Sequence, residues 1–265
     1  GVRRERFKPR DLSRPLMAAT AVQRYFAEFL GTFGLLLFGV GTAEMTLNFS
    51  FVSDARYLAI SFAFGVVVMA GAFAFGELSG AHFNPAVTIS MAVSRKMPKG
   101  DIIPYLIAQL LGALLGVEVV LAIAQGTTGR LLSMVQANAL TSQGYAGNGA
   151  PLNFATSLGA VFLLEVVLTF FFVLVIHRVT RDGSPAKMFA PIAIGFTLFL
   201  TQLVAIPIDN ASINPYRSLA PALIAQVWPS SHWAIVEVWL FIVAPIIGGL
   251  IAAGVDLILS PPPKA

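Results

Sequence analysis

The sequence predicts an all-α membrane protein with six transmembrane helices and two re-entrant half-helices, arranged as an inverted repeat. Three observations support this prediction. The chain is 57% hydrophobic and only 11% charged, whereas a soluble domain carries about 25% charged residues. Two short apolar segments each open with Asn-Pro, at Asn84-Pro85 and at Asn214-Pro215. The two halves of the chain also share motifs at the same spacing.

A pass along the chain divides it into two tails and one transmembrane domain. Residues 1–19 form a basic tail, residues 20–259 form the domain, and residues 260–265 form a C-terminal tail. A spanning helix needs about 20 mostly apolar residues. Six segments meet this requirement: 20–47, 57–76, 101–124, 154–178, 188–207 and 232–259. The first repeat covers about 20–124 and the second about 154–259, and the polar segment 125–153 is the longest predicted loop.

Residues 84–95 and 214–225 are too short to span a bilayer. Asn84 is a favourable N-cap, and Pro85 then takes the first helical position, where its missing N–H costs nothing. At about 1.5 Å per residue the first segment is ~15–18 Å long, roughly half a bilayer. Each segment is therefore predicted to enter the membrane and return on its own side.

Matched positions in the two halves predict the repeat. Glu28 begins a Glu-x-x-x-Thr pattern that recurs at Glu165. Gly65 precedes Asn84 by the same spacing that separates Gly195 from Asn214, and Leu-Leu-Gly112 matches Ile-Ile-Gly248. With three spans in each half, the second half is inverted in the membrane. A functional site is then expected at mid-membrane, where the discontinuous helices meet.

Charge distribution predicts the orientation. Fourteen of the 17 Lys and Arg residues lie in the tails, at the start of the first span, or in turns on that same side, which places both termini in the cytoplasm. The net charge of +4 is thereby explained without nucleic acid. The chain has no cysteine and no His-x-x-x-His or Gly-x-Ser-x-Gly pattern. We therefore expect neither an intramembrane enzyme nor a metal or cofactor site.

Two motifs, set within six spans and inverted halves, resemble the aquaporin (major intrinsic protein) family over residues 20–259: Gly80-Ala-His82-Phe-Asn84-Pro85-Ala86-Val-Thr88 and Asn214-Pro215-Tyr216-Arg217-Ser218. The resemblance implies a passive water channel that excludes ions and protons, and a homotetramer in the cell membrane with no cofactor. Ser218, where glycerol channels usually have Asp, places the chain closer to the water-channel branch.

The resemblance places Asn84, Pro85 and Ala86 against Asn214, Pro215 and Tyr216 at the pore centre. A water molecule there would accept hydrogen bonds from both amides and lose continuity with its neighbours, while the two helix N-termini add positive potential. Tyr216 departs from the family pattern, which has a small residue at this position. We expect the phenol to displace the second motif or to require space on its partner side.

The resemblance also implies an outer constriction formed by Phe64, Gln202, Ala211 and Arg217. Gln202 stands where water-selective members carry His and glycerol channels carry Gly. Ala211 stands where water-selective members carry a small polar residue and glycerol channels carry an aromatic residue. The chain matches neither pattern, but Gln is close to His in size, so we expect a narrow polar constriction. The alternatives are a broader pore for glycerol, urea, ammonia or hydrogen peroxide, a Gln202 that points into a helix interface, and a surface position for Arg217.

Glu28 and Glu165 are carboxylates at equivalent positions within the spans. The resemblance implies that they accept N–H groups of the re-entrant loops; a proton relay, as in a proton-coupled transporter, is the alternative. The loop carbonyls would then face the pore: Gly80, Ala81, His82, Asp209, Asn210 and Ala211. His82 is expected to pack within its loop. His177 is expected to be a solvated loop residue, with a pH gate as the alternative.

Overall fold

The computed structural model describes residues 19–46, 53–128, 158–225 and 233–260, which contain helices and turns but no strand. In these ranges we number the helices in chain order: α1 (Ala21–Met45), α2 (Ser53–Ser79), the half-helix α3 (Pro85–Val93), α4 (Ile102–Thr128), α5 (Leu158–Val179), α6 (Ala190–Asp209), the half-helix α7 (Pro215–Ala225) and α8 (Trp233–Leu259). Helix α1 contains a π-helical segment, Leu35–Val40.

Every helix in that numbering except α3 and α7 is long and apolar enough to cross a membrane, with mean hydropathy between 1.5 and 2.7. Large apolar side chains are exposed on their outer faces, among them Phe62, Leu163 and Ile258. An apolar surface of this extent is unfavourable in water and favourable in lipid. The chain is therefore a multi-pass membrane protein, as predicted.

The two half-helices begin with the predicted caps. The Asn84 side chain accepts a hydrogen bond from Ala86 N at 2.8 Å, and Pro85 is the first helical residue. At the second copy, the Asn214 side chain accepts from Tyr216 N at 3.0 Å. Helix α3 has 9 residues and α7 has 11, so each is about 14–17 Å long. Neither can cross the hydrocarbon core alone.

The repeat is visible where α2 crosses α6. A Cβ atom added to Gly65 would lie 2.6 Å from Gly195 O, and one added to Gly195 would lie 2.7 Å from Gly65 O. The two glycines are thus each other's backbone neighbours. Because they occupy equivalent positions in the two halves, the pseudo-twofold axis of the repeat passes through this contact.

A second pair of glycines makes equivalent contacts within each half. A Cβ atom at Gly112 in α4 would lie 2.2 Å from Phe29 O of α1, and one at Gly248 in α8 would lie 2.4 Å from Val166 O of α5. Phe29 and Val166 each follow the glutamate of their repeat. Such close backbone approach requires a residue without a side chain, and the sequence spacing had predicted both positions.

The helix boundaries differ from the predicted spans by up to four residues, as in α2, which covers Ser53–Ser79 and not 57–76. Helix α4 continues to Thr128, so its last turn occupies the start of the segment predicted as a loop over 125–153. The remainder of that segment lies outside the described residues, as does 154–157 before α5. The basic tail before Ala19 and the C-terminal tail after Ser260 also lie outside them.

Candidate functional site

The N-termini of α3 and α7 meet through the two asparagines. Asn84 Nδ2 donates to Ile213 O at 2.9 Å, and Asn214 Nδ2 donates to Phe83 O at 2.8 Å. Each amide therefore binds the residue that precedes the other asparagine. Each NH₂ group has a second hydrogen, and both side chains line the same internal cavity.

Tyr216 does not displace the second motif. Its backbone N–H makes the Asn214 cap, its side chain is partly buried, and it packs against the core. The two reciprocal amide bonds differ by only 0.1 Å. The expected displacement is therefore wrong, because the phenol packs beside the motif turn and leaves the cap to the backbone.

A cavity of about 1400 Å³ passes the asparagine pair. Both repeats supply its walls at equivalent positions, as shown by the matched residues Leu35 and Phe172, Phe64 and Ile194, Val68 and Leu198, and Ala72 and Gln202. Apolar side chains supply most of the wall, and the polar groups on it include the two asparagines, Gln202 and Arg217. This arrangement is typical of a path that orients small polar molecules without holding them tightly.

Phe64, Gln202 and Arg217, the residues that the resemblance assigns to the outer constriction, all line the cavity. Arg217 is 1% exposed, and its guanidinium lies 5.5 Å from the centre of the Phe64 ring. Its Nη2 donates to Asn210 O at 3.2 Å. A surface position for Arg217 is therefore excluded. Gln202 is also buried and lines the cavity, which excludes a position in a helix interface.

Ala211 is not part of that lining in the described residues, nor are Asp209 and Asn210. In the first loop, by contrast, Gly80, Ala81 and His82 all line the cavity. The two loops nevertheless have matched backbones. Positive φ angles occur at Gly80, Ala81 and Phe83 and at the equivalent residues Asn210, Ala211 and Ile213. Left-handed backbone at a non-glycine residue costs about 1–3 kcal/mol, so surrounding contacts must hold both loops.

Glu28 holds the first loop with four accepted hydrogen bonds. Its Oε1 accepts from Ser79 Oγ at 2.7 Å and from His82 N at 2.9 Å. Its Oε2 accepts from Phe83 N at 2.8 Å and from Gln109 Nε2 at 2.7 Å. The side chain is fully buried, so each bond satisfies a donor that has no access to bulk water.

Glu165 holds the second loop through the equivalent backbone groups. It accepts from Ser212 N at 2.7 Å and from Ile213 N at 2.8 Å. Asp209, at the start of this loop, adds a second buried carboxyl beside it. The Asp209 Oδ1 atom in turn accepts from Ala211 N at 2.9 Å. The side chain of Asp209, and not only its carbonyl, is thus part of the loop.

A charged cluster lies where α3 ends, on the side of the asparagine pair away from Arg217. Lys96 Nζ lies 2.7 Å from Asp256 Oδ2 and 2.8 Å from His177 Nδ1. His177 Nε2 lies 2.8 Å from Ser90 Oγ, and Arg178 completes the group at 3.3 Å from Asp256. Because His177 is fully buried, its expected position in a solvated loop is wrong.

Lys96 also lines the cavity, together with charged residues of the turn after α5: Arg181, Asp182 and Lys187. Lys187 Nζ lies 2.6 Å from Asp182 Oδ1. This hydrogen bond and the positive charge of Lys187 hold the pKa of the Asp182 carboxyl below its usual value. The mouth of the cavity at this end is therefore polar and charged, unlike its apolar walls.

A model of the major intrinsic protein family matches residues 16–255. The chain belongs to this family. Its members are membrane channels, so the prediction that the chain is not an enzyme is confirmed.

Curated relatives in the family are similar over most of the chain. A protein named Aquaporin Z from Rhodopseudomonas palustris is 41% identical over 91% of this chain and 94% of its own. Proteins of the same name from Bradyrhizobium diazoefficiens and Brucella melitensis are 39% and 40% identical over 91% and 86% of this chain, covering 95% and 93% of theirs. The fold is similar to the X-ray structure of the aquaglyceroporin from Plasmodium falciparum, with a TM-score of 0.75 at 23% identity, covering 91% of this chain and 98% of that one.

Sequence reasoning missed three side chains that support this family architecture here: Gln109, Asp209 and Asp256. Sequence signals could have found two of them, Asp209 and Asp256. Asp209 precedes Asn214 by the spacing that separates Ser79 from Asn84, which marks it as a loop-support position. Asp256 is an acidic residue inside a long apolar helix, and such a residue needs a buried partner.

Proposed function

We propose that the chain is a passive water channel that excludes ions and protons. The observation that carries this proposal is the reciprocal pair of asparagines beside one cavity, with each amide fixed by the facing loop. A water molecule between them accepts from both amides, so its lone pairs are occupied and it cannot accept a hydrogen bond or a proton from a neighbouring water. A chain of water molecules would then be interrupted at this point, and proton transfer along it would stop.

Helix dipoles support the exclusion of cations. The N-termini of α3 and α7 both point at the asparagine pair, and each carries about half an elementary positive charge. Arg217 adds a full positive charge on the same cavity. A cation entering from either side therefore meets positive potential in an apolar channel, where it also loses its hydration shell. A neutral water molecule experiences neither cost.

Selection of water over larger solutes requires a narrow constriction along the path. We propose that Phe64, Gln202 and Arg217 form the constriction with Ala211 beside them, and that the carbonyls of Gly80, Ala81 and His82 accept hydrogen bonds from passing water. Asp209 and Asn210 would support the second loop. The second candidate is a broader pore for small neutral solutes such as glycerol, urea, ammonia or hydrogen peroxide. It is favoured by the small side chain of Ala211, which adds no bulk to the cavity because it does not line it.

Stopped-flow light scattering on proteoliposomes separates these functions. An impermeant osmolyte reports water flow, and glycerol reports solute entry. For the water channel we expect fast shrinkage in both, with no fast reswelling in glycerol. Rapid reswelling would establish the broader pore instead. A pH-sensitive dye in the lumen tests proton exclusion, and proton flux above that of empty liposomes would contradict it.

The Arg217→Ala variant tests the constriction. It removes the guanidinium donors and widens the cavity beside Phe64, so we expect glycerol permeability to rise about tenfold, which corresponds to ~1.4 kcal/mol of barrier. Phe26→Ala is the control, because Phe26 is exposed on the outer face of α1. Equal effects of the two substitutions would place the constriction elsewhere.

The assembly and orientation are also proposals. The Lys and Arg distribution supports a cytoplasmic location for both termini in the cell membrane. The exposed apolar outer faces are compatible with a homotetramer surrounded by lipid. Cross-linking in native membranes followed by mass measurement would show four copies if this proposal is correct.

A further inference from the structure

The second loop contains a carboxyl group where the first loop contains a hydroxyl. Ser79 and Asp209 are each five residues before the asparagine of their motif. Ser79 Oγ accepts from Ala81 N at 3.0 Å and donates to Glu28 Oε1 at 2.7 Å. Asp209 Oδ1 accepts from Ala211 N at 2.9 Å, and Glu165 Oε1 accepts from the next backbone N–H, that of Ser212, at 2.7 Å, so the two buried carboxyls lie side by side.

Ser79 accepts one hydrogen bond and donates another to its glutamate. Asp209 can do the same only if a proton lies between its carboxyl and that of Glu165. A hydroxyl group accepts and donates at once, whereas an ionised carboxylate only accepts. Glu165 is fully buried, and Asp209 is 3% exposed. Two ionised carboxylates in contact at such a site would repel each other strongly. A proton between them converts the repulsion into a hydrogen bond.

A comparison of the hydrogen-bond donors around Glu28 and Glu165 explains why this proton is needed. In the first half, Gln109 Nε2 donates to Glu28 Oε2 at 2.7 Å. Gln109 is three residues before Gly112, and the residue three before Gly248 is Pro245. Proline has no side-chain donor. Glu165 therefore lacks the equivalent of two donors that Glu28 has, and a protonated carboxyl supplies one of them.

We propose that Asp209 and Glu165 share one proton, and that Asp209 is a positioning residue for the loop before Arg217. The link to Arg217 is short. Arg217 Nη2 donates to the carbonyl of Asn210, which follows Asp209 directly. The protonated pair keeps a single negative charge, which offsets the buried guanidinium. The relevance to selectivity rests on the proposed function, but the location of the proton does not.

Infrared difference spectroscopy tests the proton directly, independently of transport. We expect the wild-type protein to show the C=O stretching band of a protonated carboxylic acid that shifts in D₂O. We expect this band to be lost in both Asp209→Asn and Glu165→Gln. Ser79→Ala is the matched control, since it removes the equivalent side chain of the first loop and leaves the band in place. An unchanged spectrum in Asp209→Asn would overturn the proposal.

A rescue series tests the positioning role. An amide at position 209 can accept from Ala211 N and donate to Glu165, as the protonated acid does, and a serine restores the arrangement of the first loop. We therefore expect Asp209→Asn and Asp209→Ser to melt near the wild-type temperature in detergent, and Asp209→Ala to melt lower. If Asp209→Asn is as unstable as Asp209→Ala, the carboxyl is ionised and the proposal is wrong.

Discussion

The two re-entrant loops have the same backbone geometry but different chemical support. Left-handed residues, asparagine caps and reciprocal amide bonds occur at equivalent positions in both. The first loop is held by Glu28 with four neutral donors, whereas the second is held by Glu165 together with a second carboxyl group. The comparison shows that the symmetry of this fold lies in its backbone and its glycine contacts, while the buried polar groups follow the needs of each loop.

The polar side chains that support the two loops differ because, of the two, only the second is next to a buried cation, Arg217. Burying a guanidinium is costly unless it is paired or hydrogen bonded. Arg217 lies near the Phe64 ring, the Asn210 carbonyl and the negative charge of the Glu165–Asp209 pair. The equivalent region of the first loop contains His82, whose Nδ1 lies 3.1 Å from Thr88 Oγ1. No Arg or Lys is buried beside that loop in the described residues, so there is no positive charge there that a second carboxyl would offset.

The largest effect is expected from removing the glutamates. Glu28→Ala leaves four buried donors without their acceptor, and Glu165→Ala leaves two backbone donors. Each orphaned donor costs about 1–3 kcal/mol, so both variants should lose most of their folded fraction, Glu28→Ala more than Glu165→Ala. The fraction that elutes as a monodisperse peak after heating in detergent measures this loss.

Glu118→Ala is the control for this pair, because Glu118 is an exposed glutamate on α4. We expect it to behave like the wild type. A larger loss for Glu165→Ala than for Glu28→Ala would mean that the second loop depends on its carboxyl more strongly than its two backbone bonds indicate. The number of hydrogen bonds that each glutamate accepts would then not explain the difference in stability between the two loops.

An intermediate effect is expected at the glycines that keep the halves alike. Gly112→Ala and Gly248→Ala each place a Cβ within 2.4 Å of a backbone carbonyl oxygen. Overpacking of this kind costs about 1–3 kcal/mol, and the two costs should be similar because the contacts are equivalent. Melting temperature in detergent is the measurement.

Each of these glycines has a control on its own helix. Gly126 in α4 and Gly254 in α8 have open space where a Cβ would lie. Replacing either with alanine should be neutral or slightly stabilising, by up to about 1 kcal/mol. A neutral Gly248→Ala beside a damaging Gly112→Ala would show that the backbone symmetry is looser than the structure indicates.

The sequence predicted the repeated parts of the site well, because those parts occur at fixed distances from Asn84 and Asn214. Phe64, Gln202 and Arg217 were placed by this spacing and line one cavity, while their role as a constriction stays a prediction. Contacts between distant helices could not be found by spacing alone. Gln109 and Glu28 are 81 residues apart, and Lys96 and Asp256 are 160 apart. Tyr216 was misjudged for a related reason, since the space for a side chain is set by packing and not by its motif.

The smallest effect is expected for Tyr216→Ala, which makes the second motif match the first. The cap bond from residue 216 is made by its backbone N–H, so the substitution leaves the Asn214 geometry intact. The phenol is only partly buried, and its loss should cost about 1–2 kcal/mol, below the ~3–5 kcal/mol of a fully buried aromatic residue. Tyr216→Phe serves as the control that isolates the hydroxyl group. In stopped-flow assays we expect water permeability to change less than glycerol permeability changes in Arg217→Ala. A large gain in glycerol permeability from Tyr216→Ala would instead make the phenol a second constriction, and the two motifs would then differ in function as well as in sequence.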